Sequence, residues 1–237
     1  MANRHNPNVP PVEVAEIRRL IRTFFEELDE SGRKIGSLKH GVYAFYDYDG
    51  EPIYVGQTKE KLSSRVSRHL TNQRTDAVAM NVLDPFEVAE IELWPLDELV
   101  GENVDILSAS VLLNRAEFTV FQKVLSESAL GAVLNEKEIT PTELIVLPKS
   151  YRKCIIPAEI FARRKHPDIR IARRAATIAN LARVISERSV SRGLRRTLLT
   201  QARRIELLAS KRLHELGIPD SCERDPLSQR EGGDETE

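Results

Sequence analysis

The chain has 237 residues, with 35 Lys+Arg against 36 Asp+Glu and a formal net charge of -1, long enough for one or two compact domains with a real core. No run approaches the roughly 18 apolar residues of a membrane span, the N-terminus has no apolar signal region, and two cysteines, Cys154 and Cys222, make a disulfide framework or a Cys-based zinc site improbable. A cytoplasmic, soluble protein with no membrane partner is expected.

A polar arm ends at Pro10-Pro11. Val14, Ile17, Leu20, Ile21, Phe24 and Leu28 then recur at helical steps until Ser31-Gly32, a plausible stop. Gly41 to Asp47, rich in Tyr, Phe and Val, reads as a strand. Asp49-Gly50 is a hairpin turn signal, and Ile53 to Gly56 supplies the return strand. Lys59 to Leu70 has helical spacing in Leu62, Val66 and Leu70. A short helix is expected from Asp76 to Leu83, and a third strand from Phe86 to Trp94. Residues 84–106 hold eight acids and no Lys or Arg.

Ser108 to Leu125 is a helix whose buried stripe is Leu113, Ala116, Val120, Phe121 and Val124. A loop with Pro141, an apolar run Leu144 to Leu147 and Pro148 follow. From Pro157 the pattern is helical, broken near His166-Pro167 and near Ser189 to Gly193. Residues 149–216 carry 18 Lys+Arg against five Asp+Glu, so the near-neutral total hides one strongly basic block. Such a block is either an anion-facing surface or a solvated Arg-rich face. After 216 the chain turns acidic and polar and is expected to be disordered. The order of elements gives an α+β fold: a small three-stranded antiparallel sheet flanked by helices, with a C-terminal basic helical extension.

Five side chains stand out. Tyr43 and Tyr54 lie on the two arms of the hairpin, where tyrosine also serves simply to fill a sheet. Arg65 and His69, spaced i, i+4, project from one side of the next helix. They are either solvated polar residues or a cation and an imidazole at the lip of a phosphate cleft. Glu117 falls within the apolar stripe of its helix, where an unpaired carboxylate is costly. It needs a partner from elsewhere, and Arg65 or a hard divalent cation would serve.

Together these residues resemble the GIY-YIG nuclease superfamily, most of all its type II restriction endonucleases. The two signature tripeptides appear as Gly41-Val42-Tyr43 and Tyr54-Val55-Gly56, with Val in place of Ile in both, and Gln57-Thr58 follow. The family's arginine matches Arg65 and its metal-binding glutamate matches Glu117. The histidine that some restriction enzymes add one turn after the arginine matches His69. Their asparagine after the glutamate helix is best matched by Asn135, with Asn114 as the alternative. The resemblance spans residues 36–136. With the charge pattern, the chain is expected to divide into an N-terminal arm and helix over 1–35, a nuclease domain over 36–148, a basic helical region over 149–216 and an acidic tail over 217–237.

The resemblance further implies one Mg²⁺ or Mn²⁺ held by Glu117, Arg65 stabilising charge on the phosphate oxygens, and Tyr54 orienting phosphate or water. Tyr43 is implied as the general base. A free tyrosine has a pKa of about 10, so His69 taking the proton through Tyr43 stays open beside it. The expected function is sequence-specific cleavage of double-stranded DNA by a homodimer, within a restriction-modification system. The Arg faces of the C-terminal helices would track phosphates, or form a dimerisation hairpin, or both. The compact size favours restriction over a repair or homing nuclease, and a non-cleaving DNA-binding protein on this scaffold is the remaining alternative.

Overall fold

The computed structural model describes residues 10–70, 82–101, 105–135 and 137–219. Among the described residues the fold is α+β, with four strands and seven α-helices. Strands β1 (Gly41–Tyr46) and β2 (Pro52–Thr58) are the arms of the hairpin. Strand β3 (Glu90–Pro95) pairs with the other side of β1, and β4 (Tyr151–Cys154) pairs with β3. The order β2-β1-β3-β4 is antiparallel throughout and leaves β2 as an outer strand.

The sheet therefore has one strand more than the three expected. Tyr-Arg-Lys-Cys lacks an apolar alternation, and three of its four residues are exposed. It is held by its ladder to β3, by Arg152 stacking 3.7 Å above the Tyr46 ring, and by Arg152 bonding Glu90. Two boundaries also move. β3 begins at Glu90 rather than Phe86, because Asp84-Pro85 opens a 3₁₀ turn over Pro85–Glu87 whose first N–H groups Asp84 caps. The helix expected from Lys59 begins at Leu62, after Glu60 N–H bonds the Thr58 hydroxyl in a local turn. The helix expected over Asp76 to Leu83 lies almost wholly outside the described residues, as does the tail from 220.

Helices α1 (Val12–Glu26), α2 (Leu62–Leu70), α3 (Asp97–Val100), α4 (Ile106–Glu127), α5 (Ala158–Lys165), α6 (Pro167–Glu187) and α7 (Arg192–Glu215) complete the chain. None of the described helices is long and apolar enough to cross a membrane. β1 is buried along its whole length and alternates between two cores. Tyr43 and Phe45 point to one built with Phe24 and Phe25 of α1, Leu62 and Val66 of α2, Leu181 of α6 and Leu194 of α7. Val42, Ala44 and Tyr46 point to the other, with Trp94 and the Leu113, Ala116, Val120 and Val124 stripe of α4. Helices on both faces thus fix β1, and with it the position of β2.

The basic region is only partly a surface. α6 and α7 form a helical hairpin, and three of its arginines, Arg170, Arg174 and Arg204, are buried. Their guanidinium groups converge on one oxygen of Asp47 at 2.9, 2.9 and 2.7 Å. Glu87 takes a second bond from Arg174 at 2.9 Å, and Asp49 one from Arg170 at 2.5 Å. The other Asp47 oxygen accepts the N–H groups of Asp49 and Glu51 in the β1–β2 turn. Three buried cations are matched by three acids, which is the condition for such a cluster to persist. The basic helices consequently grip the tip of the tyrosine hairpin.

Candidate active site

The register of the hairpin sets Tyr43 opposite Gly56 and Phe45 opposite Tyr54. The glycine answers a close approach, not an unusual torsion. A Cβ on Gly56 would lie 2.6 Å from the Tyr43 hydroxyl oxygen and 2.8 Å from a Tyr54 ring carbon. Gly41 is similarly crowded by Leu62 and the Trp94 carbonyl, both at 3.0 Å. The two glycines of the tripeptides therefore make room for a tyrosine ring and for α2.

Tyr43 is fully buried. Its hydroxyl accepts a bond from Arg65 Nε at 3.2 Å and lies 3.3 Å from His69 Nε2. His69 is neither solvated nor at an outer lip of the helix. It lies within the stripe, buried with Leu62 and Val66, because positions 62, 66 and 69 share one helical face. The Tyr54 and His69 rings are 5.1 Å apart, and Tyr43 meets His69 edge-on at 5.6 Å. With Arg65 donating to the phenol oxygen, the phenol's proton points toward Nε2 whenever that nitrogen is unprotonated. This is the alignment a proton relay requires.

Glu117 reaches the same place from α4, on the opposite face of the sheet. Gln57 of β2 bridges the gap: its Nε2 donates to Glu117 Oε2 at 3.0 Å and to Asn114 Oδ1 at 2.8 Å. Burial pushes the Glu117 carboxyl above the usual range, and the Gln57 bond and the nearby Arg65 charge offset this only in part. Burial works against the Arg65 charge too, yet the phenol oxygens of Tyr43 and Tyr54 outweigh it and hold the guanidinium above its ordinary value.

Asn135 pairs with the free edge of β2. Its Nδ2 donates to Val55 O at 2.7 Å, and Val55 N–H donates back to its Oδ1 at 3.1 Å. One side-chain amide thus imitates a neighbouring strand, and Leu134 N–H extends the ladder to Ile53 O at 2.7 Å. The asparagine holds a wall in place with its polar atoms already engaged.

These groups surround a cleft of about 360 Å³ along the outer edge of β2. Tyr54, Arg65, Glu117 and Asn135 line it, with Gly56, Gln57 and Asn114, while Lys137 to Thr140 close its far side. Tyr43 and His69 lie behind that lining and communicate with it through Arg65. The sequence reading missed Gln57 as a site residue. The signal was present, since Gln57 pairs with Val42 in register and so is a polar side chain on the strand face that α4 covers. Among the described residues no three His, Cys, Asp or Glu side chains gather as a ligand cluster. A single half-buried carboxylate in an open polar cleft fits a hard cation that keeps most of its waters and shares a substrate phosphate.

Against known proteins, residues 39–102 match the GIY-YIG catalytic domain. The chain thus carries a nuclease-type domain, of the kind found in DNA endonucleases. The match contains Tyr43, Tyr54, Arg65 and His69 and ends before Glu117 and Asn135, whose association with the cleft rests on geometry. No curated protein and no solved structure matches the chain.

Proposed function

We propose that this protein is a metal-dependent endonuclease that hydrolyses phosphodiester bonds of double-stranded DNA at specific sequences, as a type II restriction enzyme does. The observation that carries the reading is the convergence, at one sheet edge, of Arg65 from one face and Glu117 from the other. A cation above a carboxylate suits a phosphate flanked by a divalent ion. GIY-YIG nucleases are generally dependent on divalent metal. Here Glu117 would hold Mg²⁺ or Mn²⁺, which supplies Lewis acidity toward a phosphate oxygen when bound.

The chain's own groups have distinct roles in this reading. Arg65 bonds the non-bridging oxygens as charge grows on them. Tyr54 orients the phosphate or the incoming water at the cleft wall. Tyr43 gives its own proton to His69 Nε2, and the phenolate, favoured by Arg65, takes the proton of the attacking water. Gln57 aims the Glu117 carboxylate, and Asn135 fixes the strand edge under it. His69 behind Tyr43 supports the restriction type over repair or homing nucleases, since it is the addition that marks those restriction enzymes in the resemblance. Cutting both strands calls for two such sites, which a symmetric homodimer supplies.

Incubating the protein with Mg²⁺ and a mixed-sequence plasmid tests the reading. Discrete fragments support restriction. Nicks confined to damaged or branched sites would instead indicate repair, and retarded but uncut DNA a binding protein.

A further inference from the structure

The arginines of the C-terminal hairpin fall into two populations. Arg170, Arg173, Arg174, Arg183, Arg204 and Arg212 each bond a carboxylate. Arg188, at the end of α6, is exposed with no carboxylate partner among the described residues, and so are Arg192, Arg195 and Arg203. The last three lie on α7 with Arg196, whose exposed partner is Glu138 at 2.7 Å. At 3.6 residues per turn, positions 192, 195, 196, 199 and 203 share one face, opposite the buried Leu194, Thr197, Gln201 and Leu208. All five are exposed. The stripe extends about 17 Å along the helix. Glu138 lines the cleft, so the stripe passes beside the cleft at Arg196.

We propose that this outer face of α7 is a track for the DNA backbone beside the scissile phosphate, with Arg192, Arg195, Arg196 and Arg203 as the phosphate contacts. The proposal rests on the nuclease reading above and adds to it which of the many arginines touch substrate. Charge decides the partner: four guanidinium groups on one face, with one exposed ion pair among them and Glu206 as the one acid on that face, just past Arg203, match a line of phosphates. The Arg196–Glu138 pair is no obstacle, since an ion pair this exposed contributes little to stability and a phosphate can replace the carboxylate. Nor does folding need these four side chains, because the buried arginines on the other faces carry the docking of the hairpin.

The test is a titration of a mixed-sequence duplex, about three helical turns long, in Ca²⁺ at several salt concentrations. The wild type is compared with R192Q/R195Q/R196Q/R203Q. The variant should keep the wild-type melting temperature. Its log-affinity against log-salt slope should be shallower by about 3 to 4, since each phosphate contact adds about 0.9. Between about 50 and 200 mM salt the wild type should lose on the order of 100-fold more affinity than the variant. Equal slopes and affinities for the two proteins would overturn the track while leaving the nuclease reading intact. A wild type that cuts no plasmid and binds no duplex would overturn both.

Discussion

Gly56 shows how closely the residues of the site depend on one another. Its missing Cβ is where the Tyr43 hydroxyl rests, so Gly56→Ala should displace the phenol from Arg65 and His69. The overpacking should cost about 1–3 kcal/mol in urea unfolding, and cleavage should fall well beyond what that loss of folded protein explains. Glu117 makes a prediction with a sign. Burial raises its pKa in the folded chain above the ordinary value of 4.5. The native state therefore holds the proton more tightly than the unfolded state. Stability from this group is complete below 4.5 and is lost as pH rises through the raised value. Glu117→Gln should flatten that part of the melting-temperature profile and be at least as stable as wild type at neutral pH. Millimolar Mg²⁺ should raise the wild-type melting temperature, with a stabilisation free energy that reaches about 2.7 kcal/mol at a hundred times the dissociation constant. It should leave that variant unmoved. A shift of equal size in both proteins would remove Glu117 as the ligand. Arg65→Lys keeps a charge but has no Nε to offer Tyr43, so its cleavage rate should drop by about 10²–10³ with DNA binding retained. Much of this site was legible in the sequence, because spacing puts Arg65 on a helix facing the hairpin and Glu117 on an apolar stripe. His69's burial and Gln57's bridge were not, since both depend on how α2 and α4 seat against opposite faces of one strand.

Among the elements, the β1–β2 hairpin is the one whose position matters most, and it is fixed from both ends. Asn135 completes the edge of β2, while Arg170, Arg174 and Arg204 grip the turn through Asp47. Asp47→Ala would leave three buried guanidinium groups facing one another, and should destabilise the protein by about 3–5 kcal/mol in denaturant titration. A loss under about 1 kcal/mol would mean the cluster does not hold the hairpin. Periodicity revealed α4 and the α6–α7 hairpin, because their apolar stripes are long and regular. It could not reveal β4, whose four residues carry no alternation and are held by pairing and by Arg152. Nor could a count of charges tell the arginines that meet a carboxylate from those that remain exposed, since only the packing of α6 against the Asp47 turn separates them.

For the whole molecule, the helical hairpin, the sheet and α4 act as one frame around the cleft. Sedimentation on a cognate duplex should show two copies per duplex, because one cleft addresses one strand; one copy that still cuts both strands would remove the homodimer. The most direct test of the central claim, that the edge of β2 is a metal-dependent nuclease site, is plasmid cleavage in Mg²⁺ by wild type and by Glu117→Gln, each with and without a strong chelator. Wild type should give discrete fragments in Mg²⁺ alone, and the variant none under either condition while still retarding DNA. Fragments from the variant at the wild-type rate, or from wild type in full chelator, would contradict it.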